Sequence, residues 1–211
     1  MGQTCSLCNN KASIWTRTKL KDGFLCKRCA SQCSEHIIDT IAQFTAEDIR
    51  AHLVYRRENF NSKRFRLFSP DKMLGQYEVI FIDTVNRLWS LKTDKPFHKS
   101  DNPDIFTFEQ ILKVHYVIKK ECINKFQKFN GKNSRVPKRL RRKVNRVPLY
   151  GYWFYVIIDV QHTMFRQLQM RINKYIVTDK NKDAYQNCMT SVEDIITELQ
   201  TLILKERNSD E

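Results

Sequence analysis

Two pairs of cysteines within the first thirty residues constrain the fold of this chain more than any other feature. Each pair has the C-x-x-C spacing, which lets two thiolates of one tight turn point at the same ion, and seventeen residues separate the pairs. Four thiolates at about 2.3 Å from one zinc ion make a closed tetrahedral site with no open coordination position. The sequence therefore predicts one structural Zn²⁺, held by Cys5, Cys8, Cys26 and Cys29.

The residues between the two pairs suit a short hairpin. Asp22-Gly23 is a strong turn dipeptide, Phe24 starts the return strand, and a helix is predicted from about Lys27. A turn, a hairpin and a turn that leads into a helix are the order of elements in a zinc ribbon or treble clef. The alternative is two unrelated thiol pairs or a redox C-x-x-C, but a redox motif needs a single pair beside a βαβ unit. Cys33 is expected to be a spare thiol, because the set of four is complete without it.

The rest of the chain predicts an α+β protein. Residues 30–44 are expected to continue as a helix, and Thr45 is expected to cap the next one. Beyond Gln76 the hydrophobic pattern changes to that of strands, with a hairpin over 77–91 and a central strand over 150–160. A stripe at 3.6-residue spacing then predicts an amphipathic C-terminal helix that covers an apolar sheet. The predicted divisions are a zinc ribbon with a trailing helix (1–44), a helix with a basic and aromatic linker (45–74), and a mostly antiparallel β domain closed by the C-terminal helix (75–207).

Positive charge is concentrated in one segment, over residues 131–148. The whole chain has 37 Lys and Arg against 23 Asp and Glu, a formal net charge of +14 at pH 7. Such an excess suggests a polyanionic partner, although a lysine-rich composition or a solvated loop that keeps a β domain soluble would give the same pattern. Arginine predominates at the centre of the segment, and its fork suits phosphate. The candidate nucleic-acid-binding residues are Lys132, Arg135, Lys138, Arg139, Arg141, Arg142, Lys143 and Arg146.

The cysteine motifs resemble those of a known family. The spacing Cys5-x-x-Cys8, the stretch 20–29 (LKDGFLCKRC) and the stretch 44–49 (FTAEDI) are similar to a bacterial zinc-ribbon family of unknown function, common in Firmicutes and their phages. Residues 77–89 and 102–111 resemble the β-rich second domain of that family. The resemblance implies a pleckstrin-homology-like fold for that domain and a bacterial or phage origin. Relatives often carry a glycine-rich insertion where this chain has its basic segment, and the family supplies no activity.

The function class that the sequence favours is a non-catalytic binding protein. The sequence has no phosphate-cradling glycine loop, no H-E-x-x-H motif and no nucleophile elbow. Neither an enzyme activity nor a small-molecule substrate is therefore expected. The first hypothesis is a module that binds DNA or RNA through the basic segment. A protein–protein adaptor or inhibitor is the second hypothesis, and binding to an anionic membrane is the third. An odd number of cysteines, seven, and the lack of a secretory signal predict a cytoplasmic protein.

Overall fold

The N-terminal part of the protein is built from two small ribbons followed by helices. The structure is a computed structural model, and it describes residues 3–92, 97–123 and 149–207, with side chains as far as residue 204. Strands β1 and β2 form the first antiparallel ribbon, and β3 and β4 form the second. Their bounds are Gln3–Thr4, Lys11–Ala12, Thr18–Lys19 and Phe24–Leu25. The helices that follow are α1 (Lys27–Ala30), α2 (Glu35–Ile38), a 3-10 turn (Ile41–Gln43), α3 (Ala46–Asn61) and α4 (Lys63–Leu67).

The single helix predicted over residues 30–44 is wrong, because the chain breaks it twice. α1 ends at Ala30, and α2 begins only at Glu35. Ser34 is the N-cap of α2, and its side chain accepts a hydrogen bond from the His36 N–H. The break turns Ile38 outwards, with 43% of its surface exposed, while Ile37 is buried. The predicted cap of the next helix is confirmed: Thr45 and Asp48 form a reciprocal capping box at the start of α3.

The first large sheet has four antiparallel strands in the order β5-β6-β7-β8. The predicted hairpin over 77–91 is confirmed as β6 and β7, with Phe81 opposite Ser90. Asp83 holds the turn by accepting the Asn86 N–H at 2.8 Å, and Arg87 has a positive φ of 59° there. The strand bounds are Lys72–Leu74, Val79–Asp83, Leu88–Lys92 and Phe106–Thr107.

The second large sheet is organised around the strand predicted to be central. β10 pairs antiparallel with β9 along its whole length, and with β11 and β12 at two different places. β8 and β9 belong to different sheets, because a 3-10 turn at Phe108–Gln110 separates them and sends the chain into this second sheet. The strand bounds are Ile111–Cys122, Tyr150–Val160, Gln167–Arg171 and Val177–Thr178.

The C-terminal helix α5 (Lys182–Arg207) covers the second sheet as predicted. The Asn181 side chain accepts a hydrogen bond from the Ala184 N–H at 3.0 Å and so caps the start of the helix. Val192, Ile195 and Leu199 are buried on the face of α5 that packs on β9 and β10. The α+β class with mostly antiparallel sheets, a small cysteine-rich N-terminal region and a C-terminal helix is therefore confirmed.

The hydrophobic core links the N-terminal region to the second sheet. One contiguous set of buried side chains runs from Leu25 and Ile49, through Trp89, to Phe154 and Val192. A smaller cluster contains Phe65 and Phe68 of the 45–74 segment, which pack on the first sheet. The three-part division of the chain and the pleckstrin-homology-like assignment stay predictions. In the ranges that the structure describes, no helix combines the length and the apolar character needed to cross a membrane.

Candidate metal centre and the tip of the β9–β10 hairpin

The first cysteine pair lies in a tight turn between β1 and β2. The Cys5 N–H donates to the Asn10 carbonyl at 2.8 Å, and the Asn9 N–H donates back to the Cys5 carbonyl at 3.0 Å. Asn9 has a φ of 57°, the left-handed conformation that asparagine tolerates better than most residues. These bonds bend the chain so that both thiols of Cys5 and Cys8 face the same side of the turn.

The second cysteine pair lies where β4 runs into α1. Cys26 is the N-cap residue of α1 and Cys29 lies within that helix, whose Ala30 N–H donates to the Cys26 carbonyl at 3.0 Å. The two turns are joined directly, because the Ser6 N–H donates to the Phe24 carbonyl at 2.9 Å. A Cβ on Gly23 would lie 2.2 Å from the Ser6 Oγ, so a larger residue there would displace the hydroxyl that accepts the Phe24 N–H at 3.2 Å.

The four sulfur atoms converge to the size of one metal site. All four lie within 4.8 Å of one another, and the Sγ atoms of Cys8 and Cys26 are 3.7 Å apart. Four sulfurs placed tetrahedrally at about 2.3 Å from a zinc ion would be about 3.8 Å from one another. The spacing fits such an ion, so the cluster could hold a metal with a closed, all-sulfur shell. Within the described part of the chain, no other group of three or more cysteine, histidine or acidic side chains converges in this way.

Ionisation of the four thiols is unequal when no cation balances them. Burial opposes ionisation of Cys5, but backbone N–H groups of Cys26, Cys8 and Leu7 lower the pKa of its thiol to about 6. Burial and the sulfur atoms of its neighbours raise the pKa of the Cys29 thiol. One thiolate is thus stabilised by the turns, and a further thiolate beside it is repelled. A divalent cation would remove that repulsion and ionise the whole set.

Cys33 lies close to the four cysteines and outside their cluster. Its side chain is buried, and its thiol donates to the Cys29 carbonyl at 3.7 Å. Burial raises the pKa of this thiol to about 11, so it is a neutral group at physiological pH. This placement agrees with the expectation that Cys33 is a spare thiol.

A buried polar cluster ties the N-terminal helices to the loop before β8. The Asp104 carboxylate accepts the Ser34 hydroxyl at 2.5 Å and forms an ion pair with Arg56 at 3.1 Å. The Ser34 N–H donates to the His52 Nε2 at 3.0 Å. Sequence reasoning missed Asp104 and His52, because each has an ordinary local context and their partners lie 70 and 18 residues away along the chain.

The burial of His52 is expected to make the stability of the fold depend on pH. Burial lowers the pKa of His52 to about 4, whereas the unfolded chain has the ordinary value near 6.5. Between these pH values the unfolded state binds one more proton, so we expect the free energy of unfolding to fall as the pH falls, by about 2 kcal/mol between pH 7.5 and 5. Urea unfolding across this pH range measures the effect.

His52→Gln is the matched control for the pH dependence. The glutamine amide retains an acceptor for the Ser34 N–H and does not titrate. Any loss of metal at low pH affects both proteins, so the difference between their pH profiles isolates the histidine. Identical profiles for parent and variant would show that His52 is not the group responsible.

Cations and aromatic rings are paired at the open end of the second sheet. The Lys119 Nζ lies 4.4 Å from the centre of the Tyr155 ring, and the Lys120 Nζ lies 3.9 Å from that of Tyr150. On the neighbouring strand and loop, Arg171 lies 5.3 Å from the ring of Trp153, and Lys174 lies 5.7 Å from the ring of Tyr175. We call this group of residues the hairpin tip.

The register of the sheet produces two of these pairs. Trp153 is opposite Lys119 and Tyr155 is opposite Arg171, so each cation reaches the ring diagonally across from it. Sequence reasoning missed the hairpin tip, because a lysine on one strand and a ring some thirty-five residues later become neighbours only once the register is known. The signal that was available is the lysine pair at 119–120 in one segment and the run of aromatic residues over 150–155 in the other.

The eight predicted nucleic-acid-binding residues lie outside the described residues. The described residues that flank residues 124–148 are Ile123 and Leu149, and the Ile123 N–H donates to the Leu149 carbonyl at 2.8 Å. These two residues therefore lie side by side, one residue beyond β9 and one residue before β10.

Comparison with known protein families gives a match in the N-terminal region. A family described as "Domain of unknown function (DUF4428)" matches residues 4–52, a range that contains both cysteine turns and the first part of α3. Searches of curated proteins and of solved structures give no match. The bacterial or phage origin and the resemblance of the β-rich part stay predictions. Residues 4–52 thus match a domain of unknown function whose four clustered cysteines could bind a metal.

Proposed function

We propose that this protein is a non-catalytic nucleic-acid-binding module with one structural zinc ion. The hairpin tip is the single observation that carries the proposal. Four cations lie there together with the acids Glu121 and Glu78, and each cation is close to an aromatic ring. Basic residues interleaved with aromatic rings are what nucleic-acid-binding surfaces use to combine phosphate neutralisation with contacts to bases.

The charge of the basic segment is a second support for the proposal. Ile123 and Leu149, which flank residues 124–148, are hydrogen-bonded to one another beside the hairpin tip, so a ligand bound at the tip would lie near both points where the segment joins the sheet. A role for this surface also accounts for the net charge of +14, which the zinc centre and the core do not require. Arginine side chains on a loop meet phosphates before base edges, so the segment itself is expected to bind with little sequence preference.

Zinc is the metal that we propose for the four-cysteine cluster. An all-thiolate tetrahedral set selects zinc among the common divalent ions of cells, and the closed shell gives it a structural role. Such thiolates persist where disulfides do not form, so we place the protein in a reducing compartment, the cytoplasm.

The salt dependence of binding tests the proposal. Contact with five or six phosphates would give a slope of log affinity against log salt of roughly −4 to −5. Changing Arg139, Arg141, Arg142 and Lys143 together to glutamine is expected to flatten that slope, because these residues would carry most of the released counterions. Fluorescence anisotropy with labelled DNA and RNA over a range of salt concentrations measures the slope.

A second quadruple variant controls for net charge. Arg57, Lys63, Arg66 and Lys99 are exposed cations away from the hairpin tip, so their change to glutamine removes the same formal charge. We expect this control to keep most of the parent slope. If both variants lose affinity equally, only the overall charge matters, and the basic segment has no special role in binding.

Protein binding is the second candidate function, favoured by a groove between β5 and α5. The groove has a volume of about 1090 Å³, and its walls include Met73, Tyr77, Asn187 and Glu198. β5 is an edge strand of its sheet, and Met73 on it is 66% exposed. An extended peptide could pair with such an edge. This adaptor function takes the lead if the segment variant binds DNA and RNA like the parent, and Met73→Asp then tests the groove.

A further inference from the structure

The outer face of the second sheet presents two aromatic rings on one strand. Tyr152 and Phe154 of β10 contact Tyr185 of α5, so the alternate residues Trp153 and Tyr155 lie on the face opposite the helix. Both are partly exposed there, beside the exposed side chains of Val117, Lys119 and Gln169. We define the outer face by these residues together with Lys113 and Arg171.

A cation lies against each of the two partly exposed rings. The Lys119 Nζ lies over the Tyr155 ring, and the guanidinium of Arg171 lies near the ring of Trp153. The Lys119 ammonium group is held only weakly over the Tyr155 ring, because its one further contact is at 3.4 Å to Gln169. A flat ligand can therefore displace Lys119 from the ring. Arg171 is held more firmly, by a 2.6 Å hydrogen bond to the Tyr77 hydroxyl, by the Tyr77 ring at 4.6 Å and by an ion pair with Glu78 at 4.0 Å. Its guanidinium plane adds a further stacking surface at the edge of the face.

The spacing of the two rings selects the form of nucleic acid. Trp153 and Tyr155 are two residues apart on an extended strand, which separates them by about 6.7 Å. Bases in a stacked helix follow one another at about 3.4 Å along each strand, with their faces covered by neighbours. Adjacent bases can reach both rings only from a strand that is unstacked and extended.

We infer that the outer face binds single-stranded nucleic acid, with one base stacked on Trp153 and the next on Tyr155. This inference rests on the proposed nucleic-acid-binding function and specifies its ligand. The Glu121 carboxylate accepts a hydrogen bond from the Trp153 Nε1–H at 3.1 Å, and this bond fixes the orientation of the indole ring. Lys113 and Lys119 supply charge for the phosphates. The acid at the far end of the face, Asp159, is already paired with Gln167 at 2.7 Å and with His115 at 3.7 Å.

Binding to three labelled probes tests the inference: a 12-nucleotide oligo-dT, a 12-nucleotide oligo-U and a 12-base-pair duplex. Stacking on an aromatic side chain changes affinity about 5- to 100-fold for each ring. We expect W153L/Y155L to lose at least about 10-fold in affinity for the single strands and less than about 2-fold for the duplex. W153F/Y155F keeps both rings and should retain single-strand binding. Comparison of oligo-dT with oligo-U shows whether a 2′-hydroxyl contributes.

Trp15→Leu is the matched control, because Trp15 is 93% exposed in the N-terminal ribbon region and does not belong to the outer face. Its loss should leave all three affinities unchanged. In a Trp15→Phe protein the remaining tryptophans are Trp153 and the fully buried Trp89, so single strands should quench the fluorescence of Trp153. This measurement also serves if the double leucine variant does not fold.

The outcomes separate the two proposals. If no probe binds in a salt-dependent way, the proposed function fails and the stacking inference fails with it. If duplex binds as tightly as single strands, or if single strands bind without quenching Trp153, stacking on the outer face is overturned while nucleic-acid binding stands. The inference is supported if the parent protein prefers single strands, W153L/Y155L loses that preference and W153F/Y155F keeps it.

Discussion

Purified protein is expected to contain about one zinc ion per chain, and serine at Cys5 or at any other of the four clustered cysteines should abolish that content. Removing one thiolate opens the closed shell and leaves three sulfurs that repel one another when ionised. Apparent binding free energies of structural zinc in small domains are about 10–16 kcal/mol, and that energy is folding energy. We therefore expect the N-terminal region to unfold. Native mass spectrometry for the metal and hydrogen exchange for the fold measure the two effects.

Cys33→Ser is the control for the zinc prediction. Cys33 is as buried as Cys29 and lies four residues further along the chain, yet its sulfur does not join the cluster. The variant should keep its zinc and lose only the packing of a buried sulfur. A chain that loses zinc on Cys33→Ser and retains it on Cys5→Ser would have a different ligand set from the one described. A chelator should reproduce the Cys5→Ser effect in the parent protein.

Local features of the fold could be predicted because their causes lie within a few residues of sequence. The two C-x-x-C turns and the Thr45 cap each depend on side chains three residues apart. The hairpin of β6 and β7 depends on the turn after Asp83, and α5 depends on its 3.6-residue stripe. In each case the residues that make the structure also carry the signal for it.

Features with distant partners could not be predicted in the same way. The break before α2 depends on Ser34, whose hydroxyl reaches Asp104 in another part of the fold. The division of the strands between two sheets depends on a single 3-10 turn at Phe108–Gln110, and β12 has only two residues, which is too short for an alternating pattern. The same limit applies to the candidate binding site. Lys119 and Trp153 are opposite one another because of a strand register that the hydrophobic pattern alone does not specify.

The free energy of unfolding should fall by several kcal/mol when Leu199 is changed to aspartate. Leu199 is 0% exposed and lies on the face of α5 that covers β9 and β10, so a carboxylate there would lose its hydration without gaining a partner. Urea unfolding followed by circular dichroism measures the loss.

The same helix offers a matched control, because Leu204 is 58% exposed, and Leu204→Asp adds the same charge in water. We expect Leu204→Asp to change stability by less than about 0.5 kcal/mol. Equal stability of the two variants would mean that α5 does not cover the sheet in solution. The hydrophobic core that joins the second sheet to the cysteine-rich region would then not include the apolar face of α5.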